Sequence, residues 1–310
     1  MRQTKEMRLV YSDFLAQVGQ EDTTIAAIEA DLSSSMATNK LSSVLGGRYV
    51  NVGIMEQEMV GVAAGLSLLG YKPYIHTFGL FASRRVYDQV FISLAYAQLN
   101  ATIVGSDAGV SAEMNGGTHM PFEELGLMRL IPKARVYEVS DDVLFQAVLK
   151  ETIKVDGLKY IRTIRKAPMP IYQGGEDFSK GYCVLRQGED MTLLASGIMV
   201  EQALKAADQL EAQGVSVQVI DLFRIKPIHE DIPALLSGRP VLTVENHNRI
   251  GGLGSSICEL MATDLTTPVH RIGIEESFGQ VGQQAYLMDV YGLTAEYIVK
   301  QAQLMLNKHN

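Results

Sequence analysis

The chain has 310 residues, 47% of them apolar and 20% charged, with a net charge of −8. Its length predicts about two domains, and an acidic chain without a basic run argues against nucleic acid as the main partner. The two cysteines, Cys183 and Cys258, lack metal-ligand spacing and favour a reducing compartment over a disulfide framework. The sequence shows no signal-peptide pattern and no uninterrupted apolar run of about 18 residues. We therefore expect a soluble cytoplasmic protein with no membrane partner.

Strand-like and helix-like segments alternate in the first half of the chain, which predicts a mainly parallel sheet with helices on both faces. The segment 55–69 predicts a helix that is apolar nearly all round, apart from two acids in its first turn. A glycine-rich loop is expected at 108–119. The other predicted elements are strands at 24–31, 49–54, 72–78, 101–107 and 157–165, and helices at 83–98 and 141–155.

Two prolines and two glycines within residues 166–177 predict a linker, after which a second α/β unit follows. The fold class is therefore α/β, with two doubly wound domains and mainly parallel sheets. The predicted bounds are 1–166 for the first domain, 167–180 for the linker and 181–310 for the second domain. In the second domain we expect strands at 191–197, 215–222, 239–246 and 269–274, and helices at 199–214, 251–264 (after a loop) and 294–306.

Glu56 and Glu58 stand at the start of the apolar helix, where two interpretations are open. Acids in a first helical turn complement the helix dipole and accept its free N–H groups, which local sequence favours for both. Alternatively, one of them points into a site and meets a basic ring nitrogen, because an unpaired buried carboxylate is costly. Residues two apart lie on different helix faces, so at most one of the two should do this.

Three further motifs contain candidate site residues. The stretch "HTFGLFASRR" places Phe78, Phe81 and Arg85 just past a predicted strand, where open α/β sheets bind ligands. An aromatic there either stacks on a planar ring or belongs to the core. His119 in the loop "GSDAGVSAEMNGGTHMP" suits proton transfer or hydrogen bonding to a substrate oxygen. The stretch "GGLGSS" either seats an anion or makes a tight turn, and its incomplete dinucleotide spacing favours the turn.

Six ordered blocks make the chain resemble the C-terminal half of a transketolase, as found in split, two-subunit transketolases. The resemblance covers nearly the whole chain, and the order of the blocks is more specific than any single one. The blocks are "ADLSSS" (30–35), "VGIMEQEMVGVAAGLSLLG" (52–70), "TFGLFASRRVYDQV" (77–90), "GGTHMPFEELGLMRLIP" (116–132), "VIDLFRIKPI" (219–228) and "TVENHNRIGGLGSSICELM" (243–261).

The resemblance implies a pyrimidine-binding domain followed by a transketolase C-terminal domain, with thiamine diphosphate as the cofactor. Glu56 matches the glutamate that hydrogen-bonds the aminopyrimidine ring nitrogen and so promotes deprotonation of thiazolium carbon 2. Glu58 matches no required acid. His119 matches a catalytic histidine that contacts donor-substrate oxygens. The other matched residues would bind the cofactor (Phe78, Phe81, Asp31 and Arg85) or the substrate (Asn115, Ser35 and Arg8).

Three departures from the family pattern bear on the substrate. Asn115 stands where the family usually has Asp, and Met120 replaces the common Gln after the histidine. Glu138 lies roughly where full-length transketolases have a phosphate-binding Arg, and a negative charge there would repel a phosphate. These departures put the usual sugar-phosphate substrates in doubt, and the motifs do not distinguish one ketose donor or aldose acceptor from another.

The metal-and-diphosphate motif of the family, G-D-G followed by Asn, does not occur in this sequence. The resemblance then implies an N-terminal diphosphate-binding subunit as partner, which holds Mg²⁺, and an α2β2 heterotetramer acting on a ketose and an aldose. No metal site is expected in this chain. The alternatives are the β chain of a 2-oxoacid dehydrogenase component, a deoxyxylulose-phosphate synthase and a non-catalytic scaffold subunit. "GGTHMP" and "IDLFRIKPI" favour transketolase over the first.

Overall fold

The structure, a computed structural model, describes residues 2–309, with the side chains of Lys308 and His309 left out. The chain forms two compact units. The first contains the chain up to Ala108 together with Leu127–Glu176, and the second contains Gly109–Gly126 and the chain from Asp177 onward. The loop between the fourth strand and the following helix thus packs with the second unit, although its sequence neighbours on both sides belong to the first.

The first unit is built on a parallel sheet in which six strands lie in the order β5-β6-β4-β3-β1-β2. Its central strands are buried along their whole length, as expected when helices cover both faces of a parallel sheet. The strands are β1 (Ile25–Glu29), β2 (Tyr49–Asn51), β3 (Lys72–Phe78), β4 (Ala101–Ser106), β5 (Arg135–Glu138) and β6 (Leu158–Arg162).

The helices around this sheet include α3, which begins at Glu56, one residue after its predicted start. The predicted helix at 83–98 is instead a 3-10 turn, the single turn α4 and a π-helix over Val90–Tyr96. Asp141 caps α6, its side chain accepting from the Leu144 N–H at 2.9 Å. The helices are α1 (Met7–Glu21), α2 (Leu41–Leu45), α3 (Glu56–Leu68), α4 (Tyr87–Gln89), α5 (Glu124–Leu130) and α6 (Asp142–Lys154).

The second unit contains a five-stranded sheet in the order β12-β11-β8-β9-β7. Its pairings are parallel except that β7 runs antiparallel to β9 at one edge. The strands are β7 (Cys183–Arg186), β8 (Met191–Ala195), β9 (Val217–Asp221), the short β10 (Arg224–Lys226), β11 (Val241–Asn248) and β12 (Val269–Ile274). The helices are α7 (Met199–Glu211), α8 (Ile232–Leu236), α9 (Leu253–Leu260), α10 (Gln284–Val290) and α11 (Ala295–His309).

The predicted fold class, two α/β domains with mostly parallel sheets, is confirmed. Prediction missed the short strands β5, β7 and β10, which are only three or four residues long. The domain bounds at 166 and 181 stay a prediction, and their outer ends, Met1 and Asn310, lie outside the described residues. Among residues 2–309, the helices are all too short or too polar to cross a membrane.

Candidate active site

Glu56 and Glu58 have different environments, although both lie in the first turn of α3. Glu56 is 4% exposed, and its Oε1 accepts a hydrogen bond of 2.6 Å from Nη1 of Arg85. Glu58 is exposed to solvent. The two-residue offset therefore directs one carboxylate into the protein and the other away from it. Only Glu56 is placed to meet a bound group.

Arg85 also lies over an aromatic ring next to this carboxylate. Its guanidinium carbon is 3.7 Å from the ring centroid of Phe81. The rings of Phe81 and Phe78 stack at 6.2 Å with an interplanar angle of 30°. Phe78 ends β3 and is 8% exposed, whereas Phe81 is half-buried in the turn that follows. Glu56, Phe81 and Arg85 thus lie in one cluster, called the Glu56 pocket, with Phe78 stacked on Phe81.

A second ion pair lies next to Phe78. Nε of Arg165 donates to Oδ1 of Asp107 at 2.6 Å, and the Arg165 guanidinium carbon is 5.1 Å from the Phe78 centroid. Asp107 follows β4 in the left-handed region, with φ of 60°. Sequence reasoning missed Arg165. The available signal was its place just after β6, at the carboxyl edge of the same parallel sheet.

The three remaining predicted residues of the first unit lie near the strand ends or at a helix start. Asp31 follows β1 with φ of 59°, and its N–H donates to Oδ1 of Asn51 at 3.0 Å. Ser35 is half-buried in the turn after it. The side chain of Arg8 is engaged by Glu6, with Nε 2.6 Å from Oε2. Of the three, Asp31 has the exposed carboxylate at the carboxyl edge of the sheet that a ligand could reach.

His119 and Asn115 lie on the loop Gly109–Gly126, within the second unit. The loop is fixed to that unit by close backbone contact, since a Cβ at Gly117 would lie 2.3 Å from the carbonyl oxygen of Gly279. The side-chain oxygen of the fully buried Asn246 accepts from the Val110 N–H at 3.0 Å. His119 is half-buried with Nδ1 2.9 Å from the hydroxyl of Thr118, and Asn115 is exposed.

The glycine-rich turn at 251–254 binds an anion from the chain itself. Oε2 of Glu245 accepts from the Leu253 N–H at 2.7 Å, and Oε1 accepts from the Gly254 N–H at 2.9 Å. Glu245 is fully buried, and a Cβ at Gly252 would lie 2.0 Å from its carboxylate. The start of α9 is therefore a packed turn with an internal carboxylate, as the incomplete dinucleotide pattern indicates.

The expectation that Glu138 would repel a phosphate is wrong for this side chain. Glu138 is 2% exposed and pairs with the fully buried Arg162, its partner in the β5–β6 register. The charge is compensated inside the sheet by that arginine and does not act on a ligand outside. Met120, another departure, is 3% exposed and packs against Gly279.

Two family models together match most of the chain. Residues 3–169 match the transketolase pyrimidine-binding domain, and residues 181–298 match the transketolase C-terminal domain. The chain belongs to the transketolase family, whose members depend on thiamine diphosphate. Across residues 2–309, the structure contains no group of three His, Cys, Asp or Glu side chains that could hold a metal ion.

The similar proteins include separate subunits. A 6-deoxy-6-sulfo-D-fructose transketolase subunit, SqwH, of Clostridium sp. (strain MSTE9) is 41% identical, with 98% of this chain and 95% of the relative covered. A putative transketolase C-terminal section from Methanocaldococcus jannaschii is 34% identical, with 96% of this chain and 95% of the relative covered. A split-gene transketolase solved as an inactive β4 tetramer superimposes with a TM-score of 0.88 at 35% identity, over 98% of this chain and 99% of that one. The chain is thus of the β-subunit type of split transketolase.

Proposed function

We propose that this chain supplies the pyrimidine-binding half of a transketolase active site. The observation that carries the proposal is the buried Glu56 carboxylate at a helix start, whose partner Arg85 lies over the ring face of Phe81. A carboxylate acceptor beside an aromatic face suits a planar nitrogen heterocycle, so the residues present fit an aminopyrimidine. Thiamine diphosphate, when bound, supplies the nucleophilic carbon that transfers a two-carbon ketol unit from a ketose to an aldose.

Each residue of the Glu56 pocket has a proposed task. Glu56 would hold a proton at the ring nitrogen, which carries a lone pair in the neutral aminopyrimidine, and this hydrogen bond would keep the ring in register. Phe81 stacks on the ring, and Phe78 closes the pocket behind it and keeps water from the carboxylate. Asp31 lies at the same edge of the sheet and would orient the cofactor from the side of β1. Arg85 contacts both Glu56 and Phe81.

Substrate contacts are assigned to His119, Asn115, Ser35 and Arg8. The half-buried imidazole of His119 can donate to a sugar oxygen or take its proton. Asn115 is exposed at the tip of the same loop and offers an amide donor and acceptor. Arg8 would have to leave Glu6 to bind an anionic substituent, and this exchange between exposed ion pairs is energetically small.

The partner in this proposal is an N-terminal subunit that binds the diphosphate and Mg²⁺, in an α2β2 assembly. Large apolar side chains at the two ends of α3 support an interaction surface, because Ile54 is 72%, Leu68 74% and Leu69 76% exposed. The inactive state of the related β4 tetramer is consistent with a required partner for that protein. A cytoplasmic location stays a prediction.

The test is reconstitution. The chain, a candidate diphosphate-binding subunit, thiamine diphosphate and Mg²⁺ are mixed, and glycolaldehyde transfer is followed with 6-deoxy-6-sulfofructose and with fructose 6-phosphate as alternative donors. We expect ketose cleavage only when both subunits are present. Activity of the isolated chain would contradict the division of the site between two chains. Decarboxylation of pyruvate without ketose cleavage would favour the 2-oxoacid dehydrogenase alternative, and an inert complex would favour a scaffold.

A further inference from the structure

The Glu56 pocket already contains a planar cation, the guanidinium of Arg85. It donates to Glu56 Oε1 at 2.6 Å and lies 3.7 Å from the centroid of Phe81. These are the two contacts that the proposed function assigns to the aminopyrimidine ring, one to the carboxylate and one to the ring face. All three residues belong to the first unit.

The chemistry of the two groups is alike. A guanidinium is flat, delocalised and rich in N–H donors, so it stacks on an aromatic face and donates to a carboxylate in its own plane. An aminopyrimidine whose ring nitrogen shares a proton with Glu56 and whose face stacks on Phe81 would use the same two contact surfaces. Arg85 occupies Oε1 of Glu56 and one face of Phe81, so the arginine and the ring exclude each other where the ring uses that oxygen and that face.

Arg85 can be displaced, because its side chain is 41% exposed while the side chain of Glu56 is 4% exposed. The backbone of Arg85 is held in place, since its carbonyl oxygen accepts from Nε2 of Gln57 at 3.2 Å. The guanidinium can therefore swing into solvent without moving the chain that carries it. A buried carboxylate without a partner is costly, so the arginine stabilises the pocket until another hydrogen-bonding group replaces it.

We propose that Arg85 is a displaceable stand-in for the aminopyrimidine, which pairs with Glu56 in the cofactor-free protein and leaves when the cofactor enters. This inference rests on the proposed function, and it changes the role predicted for Arg85. As a cofactor-binding residue, Arg85 would strengthen cofactor binding. As a stand-in, it weakens binding by competing for Glu56 and Phe81. The sign of one mutational effect therefore separates the two roles.

The experiment measures thiamine diphosphate binding to the reconstituted two-subunit complex by titration calorimetry, in Mg²⁺. For Arg85→Ala we expect about fivefold tighter binding, because the cofactor no longer displaces an ion pair and a cation–π contact. Arg85→Lys keeps the positive charge but lacks the planar guanidinium. The affinity of this variant for thiamine diphosphate should therefore lie between that of Arg85→Ala and that of wild type. The exposed Lys150 on α6 provides a matched loss of charge, and Lys150→Ala should bind as wild type does.

A second readout guards against a folding effect. Without cofactor, Arg85→Ala should unfold at lower temperature than wild type, and saturating cofactor should remove that difference, because tighter binding stabilises the variant more. Unchanged or weaker binding in both Arg85 variants would overturn the inference while leaving the proposed function standing. Wild-type complex that binds no thiamine diphosphate, or binds it equally well after Glu56→Gln, would instead overturn the proposed function.

Discussion

Each unit has a buried glutamate whose carboxylate lies at the start of a helix. In the first unit it is Glu56, at the start of α3, and in the second unit it is Glu245, at the start of α9. Glu245 is fully buried, and the backbone N–H groups of Leu253 and Gly254 bind both of its oxygens. Glu56 is 4% exposed, and the partner of its Oε1 is the half-solvated side chain of Arg85. One glutamate is held by donors that cannot leave, and the other by a donor that can.

This difference supports a stabilising role for Glu245 and the ligand-binding role that we propose for Glu56. Backbone donors at a helix start are fixed by the helix itself, so Glu245 closes the turn before α9 and leaves no room for a ligand. A flexible arginine satisfies Glu56 equally well in the free protein and yet leaves the carboxylate open to exchange. The mobility of the partner, more than burial, separates the two roles.

Glu56→Gln is expected to have the largest effect in the molecule. In the reconstituted complex, turnover should fall by about 10²–10⁴-fold, the scale of a lost proton-transfer partner. The amide oxygen can still accept from Arg85, so the thermal midpoint of the isolated chain should stay close to wild type. Steady-state ketol transfer measures the first effect and calorimetric unfolding the second. Retained turnover would remove Glu56 from the catalytic role.

Glu245→Gln should have the opposite profile, with a loss of stability and little direct effect on chemistry. The amide carries no charge for the N-terminus of α9 and has one oxygen for two N–H donors, so we expect a loss of about 2 kcal/mol. Urea unfolding of the chain measures it. The control is Glu259→Gln on the exposed part of the same helix, which should be near neutral. Equal losses in both variants would show that Glu245 is not specifically bound.

Asp22 provides a third carboxylate, at the surface, whose contribution depends on pH. The hydrogen bond from the Thr24 hydroxyl, with the Thr24 N–H and the Lys72 ammonium, lowers the pKa of Asp22 from 3.8 to about 2. A lowered folded pKa adds stability above the unfolded value, and that stability is lost as pH falls through about 2. Because the site is partly solvated, we expect about 1 kcal/mol at neutral pH.

The measurement for Asp22 compares urea unfolding of wild type and Asp22→Asn at pH 7 and pH 3. The difference between the two proteins should shrink toward acid pH. A difference that stays constant over this range would mean that the aspartate contributes by shape and hydrogen bonding, with no part from its charge.

Glu58→Gln should have the smallest effect. Glu58 is exposed in the first turn of α3 and contributes through the helix dipole alone, about 0.3 kcal/mol. Turnover of the complex should remain within about twofold of wild type, which corresponds to less than RT. Comparable losses of turnover at Glu58 and Glu56 would reverse the assignment of the two acids.

The sequence was sufficient for those parts that depend on local pattern. Strand β3 occupies the predicted residues 72–78, and α3 begins one residue from its predicted start. Both predictions succeeded because an apolar run indicates a buried strand or helix, and acids in a first turn indicate where a helix begins. The block order also singled out Glu56, Phe78 and Phe81, which the structure brings together at one sheet edge. Their catalytic and cofactor-binding roles remain predictions.

The other features depend on long side chains and on distant packing. The side chains of Arg85 and Arg165 point where their rotamers direct them, and the spacing of residues in the sequence does not specify those rotamers. The pairing of Glu138 with Arg162 needs the β5–β6 register, and β5 was not predicted. The capping of α9 by Glu245 joins residues eight apart through a turn, so the sequence indicated the packed turn but not its anion.

The loop Gly109–Gly126 has a consequence for cutting the protein into pieces. A fragment ending at residue 176 would carry this loop without the surface it packs on, and a fragment starting at residue 177 would leave Asn246 and Gly279 uncovered. Neither piece is a self-contained module, although the linker between them looks like a natural place to divide the chain. Co-expressing the two fragments should therefore recover more folded protein than either alone, since the loop of one completes the core of the other.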